Sequence, residues 1–171
     1  MRFRYALGAA AAAALSIVPM ALATPARAAA DPFFPVAVVL GRFAAPDPAE
    51  REPAAVTYDP AAVPVGAWAL VTERHLDGGG TRVILRLRGL PGDGDGDGDG
   101  RAYEARVHTK TCGPKAADAG PEYAKPLKLD FTADRLGRGM GEAVVDWRFG
   151  AGGARSVVIG DGLACLSVRF V

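Results

Sequence analysis

Val65-Gly-Ala-Trp-Ala-Leu-Val-Thr72 and, further along, Thr81-Arg-Val-Ile-Leu-Arg-Leu87 are the two stretches on which the fold turns. In the first, Val65, Ala67, Ala69 and Val71 alternate with Gly66, Trp68, Leu70 and Thr72. In the second, Val83, Leu85 and Leu87 share one side of the chain, and Arg82, Arg86 and Arg88 share the other. A period of two is the signature of a strand with one face buried, because successive side chains point to opposite sides. Asp77-Gly-Gly-Gly80 lies between them and supplies the turn, so the pair reads as a β-hairpin.

The same pattern recurs downstream. Residues 102–109 form a third strand, and residues 140–149 a fourth, with Ala143, Val145, Trp147 and Phe149 on its apolar side and Val144, Asp146 and Arg148 on the other. Residues 155–159 and 163–170 give two more short strands. Upstream, Val36-Ala-Val-Val-Leu40 is a first strand, and the rest of residues 31–60, with Pro32, Pro35, Pro46, Pro48, Pro53 and Pro60, reads as an extended Pro/Ala-rich lead-in. Beyond residue 31 no apolar run keeps helical spacing for more than a turn. Short strands joined by Gly-rich turns imply an all-β antiparallel sandwich or barrel over residues 61–171.

The N-terminus reads differently. Arg2 and Arg4 precede an apolar run from Ala6 to Ala23, and Ala26-Arg27-Ala28 follows as a small-residue cleavage site. This is the order of a secretory signal peptide over residues 1–30. Pro19 interrupts the run, which argues against a membrane anchor. The whole chain has 171 residues, with 20 Lys and Arg against 19 Asp and Glu. Arg2, Arg4 and Arg27 leave with the leader, so 17 basic and 19 acidic residues remain, a net charge of −2. No basic run points to nucleic acid, and no second apolar stretch points to a membrane span after cleavage. The two cysteines, Cys112 and Cys165, favour a disulfide in an exported chain.

Several segments, in order, resemble the copper–zinc superoxide dismutase family. Tyr103-Glu-Ala-Arg-Val-His-Thr-Lys-Thr-Cys112 resembles the family's G-x-H-x-H stretch with its following half-cystine. Asp118-Ala-Gly-Pro-Glu-Tyr123 is similar to its A-G-P-H-F/Y. Leu129-Asp-Phe-Thr-Ala-Asp134 with Gly137 resembles the strand and turn after the zinc loop. Arg155-Ser-Val-Val-Ile159 resembles the strand ending in the last copper ligand, and Leu163-Ala-Cys165 the final half-cystine. The resemblance covers residues 56–171. It implies an eight-strand Greek-key β-barrel or sandwich, and a disulfide pairing Cys112 with Cys165.

The family binds copper and zinc through a cluster of imidazoles, and this chain has two histidines, His75 and His108. By the resemblance, His108 keeps one copper-ligand position. Arg106 stands at another, and a guanidinium cannot ligate a metal. Glu122 stands at the bridging histidine, Gly160 at the last copper histidine and Gly162 at the catalytic arginine. The zinc loop and the electrostatic loop are reduced to short connections. Redox copper needs several imidazoles in fixed geometry, so no catalytic residue and no cofactor is expected, with His108 a residual ligand position.

Residues 93–100 read Asp-Gly-Asp-Gly-Asp-Gly-Asp-Gly. Asp93, Asp95, Asp97, Gly98 and Glu104 fall at EF-hand loop spacing, and Asp99 adds a fourth carboxylate to the run, so weak calcium binding is one reading. The flanks read as strands rather than helices, which favours a long acidic turn. Ser156 and Ser167 sit in no nucleophile elbow. Trp147 reads as core. Trp68, on the side opposite Val71, is a candidate contact surface. These readings converge on a secreted, superoxide dismutase-like, non-catalytic protein with a binding or structural role towards a protein or cell-envelope partner. The alternatives are a copper-dependent dismutase acting through His108, His75, Glu122 and a partner chain, and a calcium-binding module built on the Asp-Gly loop.

Overall fold

The computed structural model of the chain describes residues 36–92 and 100–171. The signal peptide expected over residues 1–30 and the acidic repeat at Asp93, Asp95, Asp97 and Asp99 lie outside the described residues. Ten strands follow in chain order: β1 (Ala37–Arg42), β2 (Ala55–Thr57), β3 (Trp68–His75), β4 (Thr81–Arg88), β5 (Ala102–Tyr103), β6 (Ala105–His108), β7 (Phe131–Thr132), β8 (Arg138–Val145), β9 (Ser156–Ile159) and β10 (Ala164–Ser167). A single 3-10 turn, Ala116–Ala119, is the one helical element among the described residues.

The strands form two four-stranded antiparallel sheets, in the orders β1-β3-β4-β8 and β2-β10-β9-β6, with β5 and β7 as a separate two-stranded ribbon. The protein is thus all-β and antiparallel, an arrangement that fits a β-sandwich. Its central hairpin follows the sequence pattern. Trp68 pairs with Arg88 at one end of β3–β4 and His75 with Thr81 at the other, across the Asp77–Gly80 turn. Ala69, Val71, Val83, Leu85 and Leu87 are buried, and they share one core with Ala105, Val107, Val157, Ile159, Ala164 and Leu166 of the second sheet. At about 1.5–3 kcal/mol for each large apolar side chain removed from water, this core is the main source of stability.

The two sheets differ in what covers their outer faces. On the second sheet, Val56, Val158 and Cys165 point away from the shared core and form a smaller buried cluster with Cys112 and Ala119. The disulfide Cys112–Cys165, with Cα atoms 5.7 Å apart, fastens this covering segment to β10. On the first sheet Val38, Leu40, Met140 and Val144 are exposed instead.

The structure departs from the sequence reading in four places. The Pro/Ala-rich stretch after the expected first strand is also part of the fold: β2 pairs with β10, and Phe43, between β1 and β2, is buried in the core. Proline density hid this, since β2 is only Ala-Val-Thr. Hairpin strand β3 begins at Trp68, and Val65 is exposed before it. The strand read over 102–109 breaks at Glu104 into β5 and β6, which join different sheets. The strand read from residue 140 begins at Arg138 and ends at Val145. Of its core-facing glycines, Gly139 falls outside the strand as read and Gly141 inside it. A Cβ on Gly141 would stand 2.1 Å from the Leu129 carbonyl oxygen, so a strand residue without a side chain is what lets this segment approach.

Candidate functional site

Along β6 the core takes Ala105 and Val107, and the alternation turns Glu104, Arg106 and His108 to the opposite side. These three line a cleft of about 710 Å³ with Ala116, Gly120, Glu122, Val158 and the β9–β10 turn at Gly160, Asp161 and Gly162. The resemblance places its copper-ligand positions on Arg106, His108, Glu122 and Gly160, and the cleft contains all four. His108 and Glu122 face each other across an isolated antiparallel bridge, which continues the sheet beyond β6.

His108 and Arg106 are already engaged. The Nδ1 atom of His108 lies 2.7 Å from the Gly120 carbonyl oxygen. A carbonyl only accepts, so Nδ1 carries the proton, and Nε2 is left as the single basic nitrogen. The Arg106 guanidinium donates to the Asp130 carboxylate, to the Ala105 carbonyl at 2.9 Å and to Glu104 at 3.2 Å. Burial pushes the Asp130 carboxyl up. The Arg106 hydrogen bond and the Ala105 amide outweigh it, and Asp130 titrates below the ordinary carboxylate range. A guanidinium held by two carboxylates is a structural fixture: it positions β6 against the segment that carries Asp130.

His75, the other imidazole, belongs to the first sheet. Its Nε2 lies 2.9 Å from the Val171 carbonyl oxygen and 3.6 Å from the Glu73 carboxylate. The two histidines are thus tied to different partners on different sheets. No group of three His, Cys, Asp or Glu side chains among the described residues is placed to hold a metal ion. On donor chemistry the cleft does not fit copper or zinc: one imidazole nitrogen, one carboxylate, a paired guanidinium and a glycine stand at the four positions where the resemblance would need imidazoles.

The serines are structural. Ser156 Oγ donates to the Lys110 carbonyl at 2.7 Å, and Ser167 Oγ donates to the Pro53 carbonyl at 2.7 Å while accepting the Cys112 amide at 3.1 Å. Tyr58, whose hydroxyl donates to the Gly113 carbonyl at 2.7 Å, has its pKa pushed up to about 12, chiefly by burial. Trp147, read as core, is half-buried beyond the end of β8 and packs edge-on against the buried Phe149 at the margin of the core. Trp68 is half-buried on the open face of the first sheet, with the Arg88 guanidinium 5.4 Å from its ring centre.

Sequence reading missed the buried Glu73, although a signal for it was present, since Glu73 shares parity with Ala69 and Val71. No protein-family model matches the chain, and no curated protein matches it.

Proposed function

We propose that the chain is a secreted, superoxide dismutase-like Greek-key barrel that has lost the metal chemistry of that family and acts as a non-catalytic binding or structural protein. One observation carries this reading: the cleft that gathers Arg106, His108, Glu122 and Gly160 offers a single basic imidazole nitrogen, and its guanidinium is spent on Glu104 and Asp130. The motif order over residues 103–165 supports the kinship. The Cys112–Cys165 bond, which suits an oxidising compartment, supports export.

The test is metal content and superoxide turnover of the exported protein after incubation with copper and zinc. The expected result is no turnover above that of copper in buffer, and no stoichiometric copper after dialysis. Arg106→His is expected to leave the protein inactive, because a second imidazole beside His108 still falls short of a copper site. Tight stoichiometric copper with turnover would refute the reading.

A further inference from the structure

The exposed face of the β1-β3-β4-β8 sheet carries six arginines and no lysine: Arg42, Arg74, Arg82, Arg86, Arg88 and Arg138. Its acidic groups are Glu142, paired with Arg82 at 2.8 Å, and Asp134 at the margin, paired with Arg138 at 2.8 Å. Between the arginines stand aliphatic side chains, with Leu40 67% and Val144 60% exposed. The register sorts them into bands. Arg42, Trp68, Arg88 and Arg138 lie in line across the sheet, then Leu40, Leu70, Arg86 and Met140, then Val38, Thr72, Ile84 and Glu142, and at the far side Arg74, Arg82 and Val144.

Two features set this face against the stability of the isolated domain. Arg74 stands directly opposite Arg82, and Arg88 directly opposite Arg138. Like charges facing each other across strands are destabilising. The Nε atoms of Arg74 and Arg82 are also buried without a hydrogen-bond partner among the described residues. Glu142 and Asp134 already offset one arginine of each pair, and an external anion would offset the charge that remains at Arg74 and Arg88. Meanwhile the outer face of the other sheet is covered by its own disulfide-fastened segment, and no segment among the described residues covers this one.

We propose that this face docks on the surface of an anionic phospholipid bilayer. Arginines interleaved with exposed aliphatic side chains match an interface of phosphates over acyl chains: guanidiniums bind phosphate bidentately, while Leu40, Met140 and Val144 enter the boundary beneath. Trp68 in the arginine band suits the headgroup level. A second copy of this chain is disfavoured, because pairing two such faces opposes arginine to arginine. Single-stranded nucleic acid is disfavoured too, because the apolar side chains between the arginines are aliphatic and Trp68, the one aromatic on this face among the described residues, is already stacked under Arg88. This surface is separate from the β6 cleft, so its test stands whatever the metal assay returns.

The experiment is sedimentation of the exported protein with vesicles of phosphatidylglycerol and phosphatidylcholine, against vesicles of phosphatidylcholine alone, with tryptophan emission followed in parallel. Binding is expected only with phosphatidylglycerol, weakening as salt is raised, with a blue shift that Trp68→Phe removes while Trp147 still emits. Arg74→Gln combined with Arg86→Gln should raise the lipid needed for half-binding by roughly fivefold per arginine. Leu40→Ser with Met140→Ser should weaken vesicle binding yet leave binding to soluble polyglutamate unchanged. Equal binding to both vesicle types, or none to either, would overturn the proposal. So would an apolar variant that binds vesicles like the parent while the arginine variant loses polyglutamate, since that marks an acidic protein or polymer as the partner. The salt titration of the parent decides the electrostatic part even where a variant fails to fold.

Discussion

Glu73 sits on the core side of β3, fully buried beside Val71, and holds the last described residue in place. Its Oε2 accepts the Val171 amide at 3.1 Å, while Oε1 has no hydrogen-bond partner among the described residues and faces His75 Nε2 at 3.6 Å. Burial raises its pKa above the ordinary 4.5, and the Val171 amide and His75 offset only part of that. The folded state therefore binds this proton more tightly than the unfolded chain does. Relative stability from Glu73 is fully present below the ordinary value and is lost as pH rises through the folded-state value. Glu73→Gln keeps an acceptor for the Val171 amide and removes the charge. It should stabilise the protein at about pH 8, with the gain shrinking towards about pH 4, where the parent's carboxyl is protonated. Urea midpoints at the two pH values test this, and a gain independent of pH would show that the buried carboxylate is not what titrates.

At the level of elements, the Cys112–Cys165 bond joins the segment after β6 to β10 across a sequence separation of 53 residues. Closing a loop of that size is worth roughly 4 kcal/mol in the chain-entropy account. Its sulfurs also fill the small outer cluster with Val56, Val158 and Ala119. Cys165→Ser should lower unfolding free energy by about 2–5 kcal/mol, measured by denaturant melts beside the reduced parent. A variant as stable as the parent would mean that the outer cluster holds the segment without the bond. The β3–β4 hairpin was legible in the sequence because alternation and turn glycines are both local. Short β2 was not, since Ala55, Val56 and Thr57 are all buried and show no alternation. The division at Glu104 was hidden for another reason: the partners that separate β5 from β6 lie on β7 and β9, far along the chain. Parity alone put Glu104, Arg106 and His108 on one side of the third strand. That Arg106 is held by Asp130 depends on a segment whose register no local pattern announces.

Across the whole molecule, charge is distributed unevenly. One sheet face gathers six arginines, and Asp93, Asp95, Asp97 and Asp99 concentrate acid in the connection from β4 to β5. The flanks of that connection are fixed by the fold. A Cβ on Gly92 would stand 2.5 Å from the Arg135 carbonyl oxygen, and one on Gly100 would stand 1.6 Å from that of Ala133. Both flanks therefore lie tight against the same stretch of backbone, and the cost of closing the connection between them depends on its length. That dependence is shallow, about 0.6 kcal/mol per doubling. Replacing residues 93–100 by a single Asp-Gly should leave the fold intact and raise stability by about 1 kcal/mol at most. Calcium separates the acidic-turn reading from the calcium-binding one. A ligand at one hundred times its dissociation constant would stabilise the parent by about 2.7 kcal/mol, a shift that thermal melts resolve. The expected outcome is the same Tm for the parent with and without millimolar calcium, and no difference in calcium response between parent and shortened chain. A calcium-dependent rise in Tm of the parent, absent from the shortened chain, would assign the four aspartates to a cation.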